Sequence, residues 1–176
     1  MKNYFRKGSM GIGQVLFITF FIIFIVFPVF SFLIDKNIAR LVASEIRESL
    51  DMSVIGAYNA VNENQYGKKA VDISQKPLEN EFLKLFCKNM KLDKDLSPKD
   101  GSVLEYPITI NELEYFGPDK IGDSCPCGNE VVRPMVHLNF TFSLNPTLYR
   151  RVINRMSGKD KFSISIGYDI ELPYDK

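Results

Sequence analysis

A continuous apolar segment lies near the start of the chain, at residues 11–34. Of the 23 residues from Ile12 to Ile34, 18 are Ile, Leu, Val or Phe, and none is charged. At about 1.5 Å per residue such a helix rises roughly 34 Å, enough to cross the ~30 Å hydrocarbon core of a bilayer. A helix inside a soluble core rarely stays apolar on every side for so long. The segment therefore predicts a transmembrane helix.

Beyond residue 34 the apolar residues recur mostly four positions apart, which places them on one face of a helix. No proline occurs between Pro28 and Pro77, so we expect the membrane helix to continue as an amphipathic helix over residues 35–61. The alternative is a break near Asp35 and two separate helices. Pro28 removes one backbone hydrogen bond and predicts a modest kink. The amphipathic stripe comprises Ile38, Leu41, Val42, Ile46, Leu50, Val54, Ala57 and Val61.

A second helix is expected at residues 76–91, after a polar loop at residues 62–76. Pro77 suits the first turn of a helix, and Glu79 and Glu81 suit its positive end. The spacing of five apolar residues predicts one buried face: Leu78, Phe82, Leu85, Phe86 and Met90.

Alternation with a period of two replaces the helical period in the second half of the chain. Apolar residues occupy every second position in three runs, at residues 104–111, 136–144 and 162–172. Such runs are typical of half-buried strands in an antiparallel sheet with one face in solvent. Pro107 has no N–H to donate to a neighbouring strand, so its strand is expected at an edge or a bulge.

A short helix is expected between the last two strands, at residues 145–156. Asn145 suits the N-cap and Pro146 the first helical position. Three arginines lie on its exposed side, and we interpret them as a solvated helix face rather than a site for an anionic partner: Arg150, Arg151 and Arg155.

These elements predict an α+β fold. A long N-terminal transmembrane and amphipathic spine helix packs on a small antiparallel sheet, with one or two further helices. The expected organisation is a basic leader at residues 1–10, a transmembrane helix at 11–34, an amphipathic continuation at 35–61 and a single α+β head at 62–176.

Charge predicts the orientation of the chain in the membrane. The net charge is +1, and the first ten residues contribute three cations and no acid, through Lys2, Arg6 and Lys7. Because positive flanks stay in the cytoplasm, we expect a single-pass protein of the cell membrane with a cytoplasmic N-terminus and an extracytoplasmic C-terminal domain. Membrane lipid is the first expected partner. The charge balance does not indicate a nucleic-acid surface.

Three cysteines and one histidine are the residues best suited to chemistry: Cys87, Cys125, Cys127 and His137. They could in principle bind zinc, but the usual C-x2-C spacing is missing, so we expect no metal site. A disulfide from Cys87 to Cys125 or Cys127 is favoured in an oxidising compartment. His137 lies on the polar side of its strand and is expected to be exposed. The sequence contains no P-loop, G-x-S-x-G or H-E-x-x-H motif, and we expect no enzyme activity, cofactor or small-molecule substrate.

The leader, the apolar helix and its amphipathic continuation resemble the type IV pilin-like superfamily. Within it, Lys7-Gly8-Ser9-Met10 before the apolar run is similar to the start of tight-adherence (TadE-like) minor pseudopilins. The resemblance implies cleavage between Gly8 and Ser9 by a prepilin peptidase, and packing of the apolar helices in a filament. The family's glutamate at mature position five corresponds to Gly13, which Gln14 follows. Gln14 is then the expected assembly contact of the new N-terminal amine.

The resulting hypothesis is a structural or assembly component of a pilus-like or secretion apparatus, anchored in the membrane by one helix. Its expected partners are like or related pilin subunits and an assembly platform. The alternative is a membrane-anchored extracytoplasmic binding module that does not polymerise.

Overall fold

The computed structural model describes residues 11–63, 75–146, 151 and 161–173. The chain divides into two compact units, the first formed by residues 1–38 and 146–160 and the second by residues 39–145 and 161–176. The predicted leader and most of the predicted helix at residues 145–156, including Arg150 and Arg155, lie outside the described residues.

The N-terminal helix is continuous from Ile12 to Glu63. It consists of α1 (Ile12–Phe21), a π-helical turn (Ile22–Val26) and α2 (Phe27–Glu63), so no break occurs near Asp35. The π-helical turn lies directly before Pro28, whose ring would clash with the carbonyl four residues earlier in a regular α-helix. In the wider π-helical turn, the N–H of Phe27 donates to the carbonyl of Ile22, five residues earlier, rather than to the carbonyl four residues earlier.

The first part of this helix has an apolar surface. Ile12 is 82% exposed, and apolar side chains remain exposed as far as Ile34. The helix is long and apolar enough to cross a membrane. A surface of this kind is compatible with a transmembrane anchor.

The second unit has a hydrophobic core built on one face of α2. Ile46, Leu50 and Val54 are at most 1% exposed, as their four-residue spacing predicts. Ile38 and Leu41 differ from the prediction, because they are 41% and 70% exposed. The buried stripe therefore begins at Val42 rather than at Ile38 and comprises Val42, Ile46, Leu50, Val54, Ala57 and Val61.

Helix α3 (Gln75–Asn89) packs on α2 through an apolar contact and a polar one. A Cβ on Gly56 would lie 3.1 Å from Leu85 Cδ1, so the missing side chain permits close packing of the two helices. Asn89 Nδ2 donates to Ser53 Oγ at 3.0 Å, and Ser53 donates in turn to the carbonyl of Ser49. Leu78, Phe82 and Phe86 are buried on α3 as predicted. Of the other two predicted residues, Leu85 is half-buried, and Met90 is buried directly after the helix ends.

Three antiparallel strands form the sheet, in the order β1 (Thr109–Phe116), β2 (Met135–Leu144) and β3 (Phe162–Glu171). The second and third strands agree with the alternating runs of the sequence. Together with α2 and α3 they confirm the predicted α+β fold, because the helices and the apolar face of the sheet share one hydrophobic core.

The prediction for the first strand was wrong in its position. The pairing of β1 with β2 shifts register between Ile110 and Glu112, which places an extra residue in β1. Such a bulge reverses the inward and outward alternation, so the pattern that ends at Ile110 does not continue along the strand. Leu104 and Ile108 are buried as predicted, but they precede the strand. Pro107 also precedes it, and β1 lies at an edge of the sheet.

One side-chain cluster joins α2 to β3. Tyr168 donates its hydroxyl to Asp51 Oδ2 at 3.1 Å, and the Arg47 guanidinium lies 5.4 Å from the centre of the Tyr168 ring. Burial of the phenol has the largest effect in raising the pKa of Tyr168, and the hydrogen bond to Asp51 raises it further. The phenol therefore remains a neutral donor to Asp51 near neutral pH.

The apolar face of the sheet should dominate the stability of the second unit. Phe140 is fully buried, whereas Ser165 is exposed on the adjacent strand. We expect Phe140→Ala to lower the free energy of unfolding by about 3–5 kcal/mol, and Ser165→Ala to change it by less than about 0.5 kcal/mol. Denaturant unfolding of the full chain in detergent, followed by circular dichroism, measures both. Equal losses would contradict the assignment of the two faces.

Candidate functional site

The opposite face of the sheet carries a cluster of four side chains with donor atoms. His137 lies on the central strand β2, directly opposite Asp169 on β3. Opposite residues in an antiparallel pair project from the same face with their Cβ atoms about 4.5–5.5 Å apart. The register of the two strands therefore brings the imidazole and the carboxylate together.

The loop between β1 and β2 supplies the other two side chains, Cys125 and Cys127. Its residues 122–131 form a small hairpin, in which Val131 N donates to the carbonyl of Asp123 at 2.9 Å. The hairpin ends in the turn Cys125-Pro126-Cys127-Gly128, closed by a 2.8 Å bond from Gly128 N to the carbonyl of Cys125. Proline at the second turn position and glycine at the fourth suit such a turn, and Gly128 has a φ of 86°.

A small apolar cluster holds the loop against the sheet. Phe116 and Met135, at the facing ends of β1 and β2, are buried with Cys125 and Val131. Lys120 bonds Glu114 at 3.2 Å and lies over the Phe116 ring. These contacts place the two cysteines beside His137.

The four ligand atoms lie within 4.8 Å of one another. His137 Nδ1 is 2.6 Å from Asp169 Oδ1 and 3.3 Å from Cys125 Sγ. Cys127 Sγ is 3.0 Å from Asp169 Oδ2 and 2.9 Å from Cys125 Sγ. All four side chains thus face a common centre, and they are of the types that hold a metal ion.

Burial differs across the cluster. Cys125 and His137 are each 3% exposed, whereas Cys127 is exposed and Asp169 is half-buried. Burial, with hydrogen bonds to Cys127 and Asp169, raises the pKa of Cys125 to about 12. The pKa of Asp169 lies below its usual value. Burial by itself would raise this pKa, but the hydrogen bonds that the carboxylate accepts from Cys127, His137 and Cys125 together lower it by more. The carboxylate of Asp169 is therefore ionised near neutral pH.

The geometry differs from that of a Cys-His-Asp catalytic triad. In a triad the base uses one ring nitrogen for the nucleophile and the other for the orienting carboxylate. Here the same nitrogen, Nδ1 of His137, is the one near both Cys125 and Asp169. The pKa of Cys125 is also raised, whereas a nucleophilic cysteine needs a lowered one.

His137 is the clearest departure from the sequence prediction. It was expected on the solvent side of its strand, and the prediction of exposure was wrong because the loop covers this part of the sheet. Asp169 did not stand out in the sequence at all. The missing C-x2-C spacing, on which the prediction of no metal site depends, does not prevent the two cysteines of the compact Cys-Pro-Cys-Gly turn from presenting both sulfurs on one side.

The other predicted site residues lie elsewhere. Cys87 lies on α3, where its sulfur contacts the carbonyl of Asp93; a disulfide from Cys87 to Cys125 or Cys127 stays a prediction. Gln14 lies exposed in the first turn of α1. Gly8 and Ser9 lie outside the described residues.

No protein-family model, curated protein or solved structure matches the chain.

The burial of the two neighbouring cysteines predicts different reactivities. In the full chain, kept in detergent with a reductant and a chelator, we expect iodoacetamide to alkylate Cys127 well before Cys125. Cys127 is exposed, whereas Cys125 is buried and has a raised pKa, which lowers its thiolate fraction. Peptide mass spectrometry at successive times measures both. Equal rates before unfolding would contradict the packing of the loop.

Proposed function

We propose that the chain is a single-pass, membrane-anchored structural or assembly component of a pilus-like or secretion apparatus, similar to a minor pseudopilin. The observation that carries the proposal is the N-terminal helix. One element, continuous from Ile12 to Glu63, carries an apolar surface in its first part and a core-facing stripe in its second. Pilin-like subunits need this combination, because the first part has to occupy lipid or a filament and the second has to hold a folded head.

The apolar part of the helix supports assembly with like subunits. Phe17, Phe27 and Phe30 are all exposed and are suited to contact lipid before assembly and neighbouring helices afterwards. A Cβ added to Gly11 or Gly13 would face open space, with no contact within 4 Å. Small residues of this kind let the backbones of two membrane helices approach closely.

Processing would prepare the N-terminus for this assembly. Cleavage between Gly8 and Ser9 removes Lys2, Arg6 and Lys7 and creates a new amine. Gln14, in the first turn of α1, is then close enough in sequence to accept a hydrogen bond from an amine at Ser9. A neutral amide gives a weaker bond than the family's carboxylate would, since charge-assisted hydrogen bonds are about twice as strong.

Processing at Gly8 tests the proposal directly. In cells that contain a prepilin peptidase, we expect the mature protein to start at Ser9, because a peptidase cutting there has to fit a residue without a side chain at position 8. Gly8→Ala should lower the processed fraction, and Gly8→Val should abolish processing. Intact-mass spectrometry of the purified protein measures the processed fraction.

Gly11→Ala is the matched control for this experiment. Gly11 has a φ of −64° and open space around it, so alanine fits there and processing should be unchanged. An intact N-terminus in the wild-type chain, despite an active peptidase, would contradict the pseudopilin function and favour an anchored binding module.

The orientation gives a second, independent test. Because the three leader cations favour the cytoplasm, we expect a protease cleavage site added at the C-terminus to be cut in intact cells, or in spheroplasts where an outer membrane is present. A cleavage site inserted after residue 3 should be cut only after the cells are lysed. The reverse result would contradict both the orientation and the pilin-like function.

A further inference from the structure

We propose that Cys125, Cys127, His137 and Asp169 form a binding site for one Zn²⁺ ion that fastens the β1–β2 loop to the sheet. The proposal rests on the convergence of four ligand atoms from three separate segments: the turn in the loop, strand β2 and strand β3. It is independent of the pilus-like function, and it is an alternative to the predicted disulfide from Cys87 to Cys125 or Cys127, because the ion uses the sulfurs of both Cys125 and Cys127.

The ligand set fits zinc better than the other common ions. Two sulfurs, one imidazole nitrogen and one carboxylate oxygen complete a tetrahedral shell of the borderline-soft type that zinc prefers. Calcium and magnesium need shells of oxygen ligands, and here only Asp169 supplies oxygen. Because all four positions belong to protein side chains, the site is structural rather than catalytic.

The distances require only a small opening of the cluster. Tetrahedral zinc with Zn–S bonds of about 2.3 Å separates two sulfurs by about 3.7 Å, whereas Cys125 Sγ and Cys127 Sγ are 2.9 Å apart. Bonds of about 2.0–2.1 Å likewise separate a nitrogen and an oxygen ligand by roughly 3.4 Å, whereas His137 Nδ1 and Asp169 Oδ1 are 2.6 Å apart. Each pair must therefore separate by less than about 1 Å. Cys127 is exposed and can rotate without disturbing the core.

Binding of Zn²⁺ displaces protons from its ligands. Cys125 and Cys127 bind as thiolates, so two protons leave the protein as Zn²⁺ enters. His137 binds through Nδ1, so the ring proton that Nδ1 shares with Asp169 moves to the other ring nitrogen and the bound imidazole is neutral. The bound ion then offsets two of the three negative charges that the two thiolates and Asp169 place in the site.

The experiment uses the full chain in detergent, reduced and freed of metal by a chelator that is then removed. With Zn²⁺ we expect one ion per chain by elemental analysis. Co²⁺ should give the intense visible bands of a tetrahedral ion with thiolate charge transfer. X-ray absorption of the zinc form should show two sulfur neighbours at about 2.3 Å and two nitrogen or oxygen neighbours at about 2.0–2.1 Å.

Two single variants separate this site from adventitious binding. Cys127→Ser removes an exposed ligand and should weaken binding by more than about 100-fold, because even the loss of outer hydrogen-bond partners weakens zinc sites by 10–100-fold. Cys87→Ser removes the cysteine on α3 and should leave one ion per chain. Zinc should raise the unfolding temperature of the wild type and of Cys87→Ser, but not that of Cys127→Ser.

Three results would overturn the proposal. The first is a wild-type chain that binds no cobalt or zinc after reduction, although its circular dichroism shows it folded. The second is a Cys127→Ser chain that is folded and still binds one ion with wild-type affinity. The third is a Cys125–Cys127 disulfide in protein isolated without reductant and protected from exchange by alkylation, because that bond consumes both sulfurs.

Discussion

Burial of the α2 stripe is the interaction on which the second unit depends. A three-stranded sheet with one apolar face needs a partner to cover that face, and α2 supplies it with a row of side chains that are almost completely buried. Helix α3 completes the core, and its close approach is possible because residue 56 is glycine. Two polar contacts fix the position of α2. The hydrogen bond between Asn89 and Ser53 joins it to α3, and the one between Tyr168 and Asp51 joins it to β3. The sheet and α3 therefore depend for their core on the part of α2 that follows residue 38.

The sequence predicted the elements whose periodicity is uninterrupted. The stripe on α2, the face of α3 and the alternation of β2 and β3 are each single patterns carried through one element, so their type and their buried side could be assigned correctly. Strand β1 contains two patterns that differ in phase, because the bulge near Glu112 adds one residue. The sequence does not mark such an insertion, and the predicted strand therefore ended where the true strand begins.

The cluster around His137 could not be predicted by the same reasoning. His137 and Asp169 are neighbours because of the register in which β2 pairs with β3. The sequence of neither strand specifies this register by itself. Cys125 and Cys127 reach these two side chains because of the way the β1–β2 loop folds. This loop has no hydrophobic periodicity from which its fold could be predicted. Alternation correctly put His137 on the face away from the helices. The pattern nevertheless predicted that His137 is exposed, which was wrong, because the β1–β2 loop covers this end of that face.

This loop explains why a metal ion would matter to the fold. It runs from the end of β1 to the start of β2 with only a short hairpin and one turn of 3-10 helix, Pro118–Lys120, of its own. Long connections of this kind are uncommon unless they are functional, since their backbone order has to be stabilised by other contacts. The apolar cluster at Cys125 and Val131 buries few side chains. Zinc bound by the four ligands adds covalent-like links from the hairpin turn to two strands at once. It would therefore reinforce, through a small number of strong contacts, the packing that the small apolar cluster already provides.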